Sequence, residues 1–359
     1  MGKDKISIIT NSLSLGGAER VSLSLAECMS KDRFEVFLIT LNKDREEGYD
    51  LSPSIRRIAI NKSSNYSKFK IIKELRRKIK HHKINKILVM GIPLAVFVIP
   101  ATFGLNVKVI LSERNDPSNF HGKTITRVLS RFLMQLADGF IFQTEGAKQY
   151  YSRKIQEKST IIPNPLLSRN LPPVFEGVRK KSIVTAGRLV PQKNHKLLIR
   201  AFKEVSAEFS EYTLTIFGNG SERENLQTLI YELDLFDKVK LPGATKKLFD
   251  EITDAEMFVL SSDFEGMPNA LIEAMALGLP CISTDCPPGG PRSLIENEKN
   301  GILVQVNDYL QLAESIKLLI QNKELSNRIA SEAIKIRSLL SIDIICKRWI
   351  DYVSEVDNI

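Results

Sequence analysis

The sequence predicts an α/β protein built from two doubly wound domains. Its 359 residues are many for one hydrophobic core but ordinary for two domains. Apolar strand patterns alternate with helical patterns in both halves, which is typical of parallel sheets covered by helices. A Pro-rich segment, with Pro163-Asn164-Pro165 and Pro172-Pro173, separates the halves. We therefore place one domain at residues 1–168, joined by a last helix at 341–359, and a second domain at 169–340.

Each half repeats the same order of elements. The first half has an apolar strand at 6–10, a loop ending in Gly16-Gly17 and a helix from about Ala18. Further strands in it are predicted at 36–41, 87–90, 107–112 and 139–144. The second half has predicted strands at 182–187, 212–218, 239–241, 257–261 and 281–284, with helices near 194–208, 222–233, 247–252 and 268–277. Two Rossmann-like domains are the expected result.

Composition and cysteine usage exclude several classes of protein. With 43% apolar and 26% charged residues, the chain has the composition of a globular protein. The four cysteines, Cys28, Cys281, Cys286 and Cys346, form no CxxC pair, so we expect core thiols in a reducing compartment and no metal site. The polar N-terminus leads into a strand, so we expect no signal peptide and a cytoplasmic protein.

Positive charge is concentrated in the first half. Residues 1–169 hold 29 basic against 15 acidic residues, and segment 62–86 holds ten basic residues with one acid, Glu74. Ile71, Leu75 and Ile79 recur there at helical spacing, which predicts a basic amphipathic helix at 68–83. It could bind anionic lipid, bind nucleic acid or be a solvated surface helix. Nucleic acid is the weakest of these, because no zinc-finger or RNA-binding signature accompanies the helix.

Residues 87–107 contain no charge over 21 positions, a length that could span a bilayer. Gly91, Pro93, Pro100 and Gly104 interrupt them. This punctuation favours a buried strand, a turn and a buried helix over a transmembrane span.

Three loops that follow predicted strands carry candidate site residues. In the first, Gly16-Gly17 would let a phosphate or sugar approach the backbone at a helix start, although a tight turn would also need glycine. In the second, Arg188 and Lys193 would suit a diphosphate leaving group, because they would neutralise the negative charge that builds on it as its bond to the sugar breaks. The alternative is that both cations are solvated surface charges. Both loops therefore have a structural alternative.

The third loop is the most specific. Pro268 can begin a helix, so the amides of Asn269, Ala270 and Leu271 would form an anion site. Glu265 precedes that helix and Glu273 lies inside it. One carboxylate can face a sugar while the other binds a ribose diol. Without a ligand role, the two acids would be a first-turn acid favoured by the helix dipole and an acid on an exposed helix face.

Together these motifs resemble glycosyltransferase family 4. The motifs are Gly16-Gly17-Ala18-Glu19, Gly187-Arg188-Leu189 with Lys193, Gly218-Asn219-Gly220, Glu265 with Glu273, and Pro288-Gly289-Gly290-Pro291. The resemblance covers essentially the whole chain. It implies a GT-B fold, in which two Rossmann-like domains face a central cleft, and a retaining reaction without metal or cofactor. It also implies a UDP-linked hexose or N-acetylhexosamine donor, a glycan or polyprenyl-linked acceptor, and no nucleic-acid partner.

The resemblance also implies residue roles. Arg188, Lys193 and Glu265 would be catalytic. Donor-binding residues would be Gly16, Gly17, Gly218, Gly266, Met267, Pro268, Asn269, Ala270, Leu271 and Glu273. On the acceptor side, Glu113, Arg114 and Asn115 occupy the loop where many members have a histidine, and His121 is expected to be incidental. Ser293 stands where many relatives have glutamate.

Two other functions fit the same motifs. A UDP-sugar epimerase or hydrolase of the GT-B fold would convert the donor without an acceptor, and a non-catalytic regulator would only bind nucleotide. A dinucleotide oxidoreductase fits less well, because Gly16-Gly17 is not the GxGxxG fingerprint. For a lipid-linked acceptor, helix 68–83 would attach the protein to the inner face of the plasma membrane.

Overall fold

The fold was obtained as a computed structural model, which describes residues 4–13, 16–42, 52–60, 67–119, 124–167 and 171–356. His121 lies outside these ranges. The chain divides into two compact units. The first comprises residues 1–167 with 342–359, and the second comprises residues 168–341.

The first unit is built on a seven-stranded parallel sheet. Its strands are β1 (Asp4–Thr10), β2 (Phe34–Thr40), β3 (Arg56–Ala59), β4 (Lys86–Met90), β5 (Lys108–Ser112), β6 (Gly139–Phe142) and β7 (Ser159–Ile161). They lie in the order β3-β2-β1-β4-β5-β6-β7. Its helices in this part of the chain are α1 (Gly17–Lys31), α2 (Lys68–His82), α3 (Ala95–Thr102), α4 (Thr124–Leu133), α5 (Glu145–Gln149) and α6 (Arg153–Glu157). The strand order reverses between β1 and β4, where doubly wound domains bind ligands.

The second unit repeats this plan with six parallel strands. They are β8 (Lys180–Ala186), β9 (Thr213–Phe217), β10 (Val239–Gly243), β11 (Ala255–Leu260), β12 (Cys281–Thr284) and β13 (Ile302–Val304), in the order β10-β9-β8-β11-β12-β13. Its helices are α7 (His195–Glu208), α8 (Arg223–Glu232), α9 (Leu248–Ile252), α10 (Asn269–Ala276), α11 (Tyr309–Gln321), α12 (Lys323–Ala333) and α13 (Ile336–Leu339). Two Rossmann-like domains are confirmed.

The last helix, α14 (Ile342–Glu355), returns to the first unit. Trp349 is fully buried on it. The Tyr352 hydroxyl accepts a hydrogen bond from the Phe140 amide at 3.0 Å and donates one to the Lys158 carbonyl. The prediction of four free thiols was wrong for one pair, because Cys346 on α14 is disulfide-bonded to Cys28 on α1. Cys281 and Cys286 are free and buried.

The uncharged segment 87–107 folds as its punctuation predicted. It contains most of β4, a short 3-10 helix at Ile92–Leu94 and helix α3, whose side chains are mostly buried. Among the described residues, no helix has both the length and the apolarity needed to cross a membrane.

The basic amphipathic helix is also confirmed, as α2. Ile71, Leu75 and Ile79 are its buried residues. Its cations are not all available to a partner, because Arg76 donates to the carbonyl oxygens of Ala101 and Phe103 at 2.9 and 2.7 Å, and so caps the end of α3. Arg77 pairs with Glu74.

The Tyr352 hydroxyl supplies the first testable prediction. Tyr352→Phe removes the hydroxyl from the Phe140 amide and the Lys158 carbonyl, which still bond each other at 3.0 Å, so it should lower the free energy of unfolding of the first unit by about 0.5–1.5 kcal/mol. Urea denaturation followed by the fluorescence of Trp349, the only tryptophan in the chain, measures this unit. Tyr231→Phe is the control, since Tyr231 is exposed in the second unit. Equal midpoints for the two variants would contradict the assignment.

Candidate active site

The candidate donor site lies at the carboxyl edge of the second sheet. In a parallel sheet the loops that follow each strand emerge at the same edge. Arg188 and Lys193 follow β8, Gly218 follows β9, and Glu265 follows β11. The structure therefore gathers at one edge residues that are up to 77 positions apart in the chain.

Two glycines allow the loops after β8 and β9 to pack backbone against backbone. A Cβ on Gly218, which has φ +147°, would lie 1.8 Å from the Gly187 carbonyl oxygen. A Cβ on Gly220 would lie 2.2 Å from the Leu189 carbonyl oxygen. Hydrogen bonds of 2.9 Å from the Leu189 amide to Asn219 O and from the Glu222 amide to Leu189 O close this contact. The loop bearing Arg188 is thus fixed by glycines of the neighbouring loop.

A mostly buried ion pair joins the loops after β8 and β11. Lys193 Nζ contacts Glu265 Oε1, and the Ser262 hydroxyl donates to the same oxygen at 2.7 Å. The Glu265 amide donates to Pro287 O at 2.8 Å. Both side chains are largely removed from solvent. A buried carboxylate of this kind needs the charge and hydrogen bonds that surround it.

Arg188 differs from Lys193 in having an exposed side chain. Within the described ranges no hydrogen bond or ion pair holds its guanidinium. Its backbone carbonyl oxygen lies 3.3 Å from Nε2 of buried His195. Burial, with the nearby charge of Lys193, lowers the pKa of His195 to about 4, so the ring is neutral at pH 7. The backbone of Arg188 is therefore supported while its side chain remains available to an anion.

The start of α10 differs in one respect from its prediction. Pro268 is the N-cap residue, as a helix starting at Asn269 requires. The amide of Leu271 donates to the Pro268 carbonyl oxygen at 3.1 Å, so its expected availability to an anion was wrong. Asn269 and Ala270 provide the first two amides of the helix, and both residues are half-buried.

Three other predicted donor residues lie in or beside α10. Met267 and Gly266 are buried before the helix, and Glu273 is buried within it. Glu273 is therefore not on an exposed helix face, which was the structural alternative for this acid.

In the first unit, Gly16 is the N-cap residue of α1 and Gly17 is its first residue. Gly16 has φ −157°, an extended conformation that any residue adopts, and neither glycine has positive φ. A left-handed turn therefore does not explain the pair. A Cβ on Gly16 would meet the side-chain carboxylate of Glu19, so glycine at this position leaves room for that side chain.

The predicted acceptor residues line a pocket of about 220 Å³ within the first unit. Its walls come from the ends of β4 and β5 and from α4, and it is lined by Gly91, Ile92, Pro93, Glu113, Arg114, Asn115, Asp116, Pro117, Asn119, Arg127, Ser130, Arg131 and Tyr151. The volume lies somewhat below the roughly 300–1,000 Å³ of sites for drug-sized ligands. It suits a single sugar or a phosphate-sized group.

Buried charges organise this pocket. Glu113 accepts hydrogen bonds from the Tyr151 hydroxyl at 2.7 Å and from the amides of Arg114 and Asn115 at 2.9 and 3.3 Å. Burial raises the pKa of Glu113, although these bonds act in the opposite direction. Burial lowers the pKa of Arg114 to about 10 against the nearby Glu113 and Glu19, so its guanidinium stays charged at neutral pH. Burial also raises the pKa of Tyr151, reinforced by Glu113.

Sequence reasoning missed the residues that hold this arrangement in place. Tyr151 and Asn164, which accepts from Arg114, belong to no motif. Ser262 also escaped, although its position three residues before Glu265 permits a local side-chain bond. Gly220 was noted only as part of a glycine-rich turn.

Comparison with known proteins gives the class to which this fold and site belong. Residues 15–166 match the family model described as Glycosyltransferase Family 4, and residues 172–336 match that described as Glycosyl transferases group 1. The chain therefore belongs to the GT-B glycosyltransferases of family 4.

Individual relatives cover nearly the full length. An uncharacterized glycosyltransferase of Haemophilus influenzae is 29% identical over 95% of this chain and 97% of its own. An N-acetylgalactosamine-N,N'-diacetylbacillosaminyl-diphospho-undecaprenol 4-alpha-N-acetylgalactosaminyltransferase of Campylobacter jejuni is 27% identical over 92% and 93%. The crystal structure of Anabaena HepE in complex with UDP superposes with a TM-score of 0.80 at 18% identity, over 98% of this chain and 100% of that one.

The approach of the loops after β8 and β9 supplies a second testable prediction. Gly220→Ala places a methyl group against the Leu189 carbonyl, which belongs to the backbone and cannot rotate away, and should destabilise the second unit by about 1–3 kcal/mol. Calorimetry should show its transition lowered by several degrees, at about 2–4 °C per kcal/mol. Gly187→Ala is the matched control, because the three atoms nearest its Cβ would be Lys193 side-chain carbons, at 3.4, 3.5 and 3.6 Å. An unchanged transition in Gly220→Ala would refute the close approach.

Proposed function

We propose that this glycosyltransferase moves a hexose or N-acetylhexosamine from a UDP-linked donor to a glycan or polyprenyl-linked acceptor in bacterial polysaccharide or lipid-linked glycan synthesis. The observation that carries the proposal is the exposed guanidinium of Arg188 in the same loop as Lys193, whose ammonium pairs with Glu265, at the carboxyl edge of the second sheet. The Campylobacter relative is named for a diphospho-undecaprenol acceptor, and HepE was crystallised with UDP. Both names are consistent with this donor and acceptor.

In the proposed reaction the bond between the sugar anomeric carbon and the diphosphate oxygen breaks. The acceptor hydroxyl oxygen bonds to that carbon from the same face, so configuration is retained, and its proton passes to the leaving phosphate oxygen. Arg188 and Lys193 stabilise the negative charge that develops on the diphosphate. No bound metal or cofactor takes part in this scheme.

The other donor contacts are assigned as the family resemblance implies. Glu265 would lie near the donor sugar and hold Lys193 in place, because a largely buried ammonium needs a counter-charge. Glu273 would bind the ribose, while the amides of Asn269 and Ala270 would bind phosphate. Gly218, Gly266, Met267, Pro268 and Leu271 would shape the donor site, and Gly16 and Gly17 would admit phosphate or sugar at the start of α1.

The acceptor would enter the pocket of the first unit. Asn115 and the guanidinium groups of Arg127 and Arg131 line it, and these groups bind sugar hydroxyls or phosphate. A polyprenyl-linked acceptor would place the enzyme at the inner face of the plasma membrane. Exposed lysines of α2, among them Lys68, Lys73 and Lys80, would then face anionic lipid.

Removing either cation tests the donor assignment. Arg188→Ala and Lys193→Ala should each lower kcat about 100-fold or more, the loss expected when one stabiliser of a developing charge is removed. Arg200→Ala is the control, since Arg200 is an exposed arginine on α7. Turnover is measured as UDP release with acceptor present. Wild-type rates in both variants would refute the assignment, and donor conversion independent of acceptor would favour the epimerase or hydrolase.

Nucleotide preference is tested by thermal shift. A donor present at about 100 times its dissociation constant stabilises the folded protein by about 2.7 kcal/mol, so UDP should raise the melting temperature of the second unit more than GDP or ADP. Arg188→Ala should reduce the shift, because the pyrophosphate loses a partner. A larger shift with GDP or ADP would overturn the UDP assignment without affecting the donor site itself.

A further inference from the structure

Helix α4 in the first unit presents a row of large apolar side chains to solvent. Ile125 is 71% exposed, Val128 62% and Phe132 72%, and Leu129 and Leu136 are also exposed. Their spacing of three and four residues aligns them along one side of the helix, which continues as a short 3-10 helix at Met134–Leu136. Soluble proteins rarely leave so many neighbouring large apolar side chains exposed without a binding role.

The opposite side of α4 fixes the helix to the first unit. Ser130 and Met134 are buried there, and Met134 belongs to the core that covers this sheet. The exposed row is therefore the outer side of an ordered, packed helix.

The same helix supplies one wall of the proposed acceptor pocket. Arg127, Ser130 and Arg131 line that pocket. The hydroxyl of Tyr150 accepts hydrogen bonds from both guanidinium groups, at 3.3 Å from Arg127 Nη2, and the Arg131 guanidinium lies over the Tyr150 ring at 5.2 Å. Each guanidinium has further N–H groups with which to bind an anion. One short helix thus borders a polar pocket on one side and carries an apolar row on another.

The charged residues in and near α4 indicate which kind of partner covers the apolar row. Between Asp116 and Asp138 the sequence contains Lys123, Arg127 and Arg131 and no acidic residue. Arg127 and Arg131 lie on the polar, pocket-lining side of α4, and the apolar row lies on the other side. Cations on the polar side and large apolar side chains on the other are typical of helices that lie in the interface of an anionic bilayer. With ten residues, α4 is far too short to cross a bilayer and must lie along its surface.

Helix α2 lacks this combination. Its apolar residues Ile71, Leu75 and Ile79 face the core, and its exposed residues are mostly lysines and arginines, with Phe69 and His81 the exceptions. It can contribute long-range attraction to anionic lipid but offers little surface to insert.

We propose that α4 docks the first unit on an anionic membrane by inserting Ile125, Val128, Leu129, Phe132 and Leu136 between lipid headgroups. This docking places the mouth of the pocket at headgroup level, where the diphosphate of a lipid-linked acceptor lies. The identity of that acceptor rests on the proposed function, whereas membrane docking itself does not.

Vesicle sedimentation tests the proposal with the full chain and no donor. The probes are vesicles of phosphatidylcholine alone and of equal parts phosphatidylcholine and phosphatidylglycerol. The wild-type protein should bind the anionic vesicles, and Val128→Ser/Phe132→Ser should bind them about 10-fold or more weakly, because two apolar side chains no longer enter the interface. Val178→Ser/Leu310→Ser is the matched control, since both residues are exposed in the second unit, and it should bind like the wild type.

Three results would overturn the proposal. The first is that the wild-type protein does not bind anionic vesicles, and the second is that the α4 variant binds them as well as the wild type does. The third is a wild-type dimer in sedimentation equilibrium without vesicles, together with a monomeric α4 variant, since a second copy would then cover the row. The UDP thermal shift separates this hypothesis from the donor assignment. A folded α4 variant should show the same UDP-induced rise in melting temperature as the wild type. If UDP raised the melting temperature of neither protein, the donor assignment would fail, but vesicle binding would still test the docking of α4.

Discussion

The ion pair between Lys193 and Glu265 is the interaction on which the proposed donor site depends. It joins two loops whose strands, β8 and β11, are neighbours in the sheet. Backbone-directed bonds reinforce the junction, from the Ser261 hydroxyl to Lys193 O at 3.0 Å and from the Gln192 side chain to Phe264 O at 2.9 Å. An anion that arrives here therefore meets a cation already held in position, so little ordering remains to be done on binding.

The two sheets share one strand order but differ in chemistry at their carboxyl edges. The second unit offers an exposed arginine and a lysine paired with an acid, a combination suited to a diphosphate whose charge changes during reaction. The pocket of the first unit is organised around buried Glu113, which is bonded to Tyr151 and to backbone amides. Such a site places hydrogen-bonding groups in fixed directions, as selection among sugar hydroxyls requires, and its arginine side chains can also bind phosphate.

The sequence predicted ten of the thirteen described strands and the loops that follow them, because both depend on local pattern, but it missed β3, β7 and β13. Strand alternation, Pro268 as a helix start and the spacing of Glu265 and Glu273 are all readable within a dozen residues. The missed features are non-local or depend on packing. Cys28 and Cys346 are 318 positions apart, so their pairing cannot be seen in a local pattern. A row of apolar residues at helical spacing is compatible with a buried helix side, as in α2, and with an exposed one, as in α4. Only the packing of α4 decides between them.

The distribution of charge separates binding of the donor from attraction to a surface. The second half of the sequence is net acidic, since 22 basic residues face 27 acidic ones over 170–359, yet it carries the proposed diphosphate site. In the proposed site a long-range field would therefore not hold the donor. Its contacts would be short-range ones, from the exposed Arg188 and from Lys193 in its largely buried pair with Glu265. The surplus of positive charge lies in the first half, where exposed lysines of α2 and the arginines of α4 would act at longer range on an extended anionic surface.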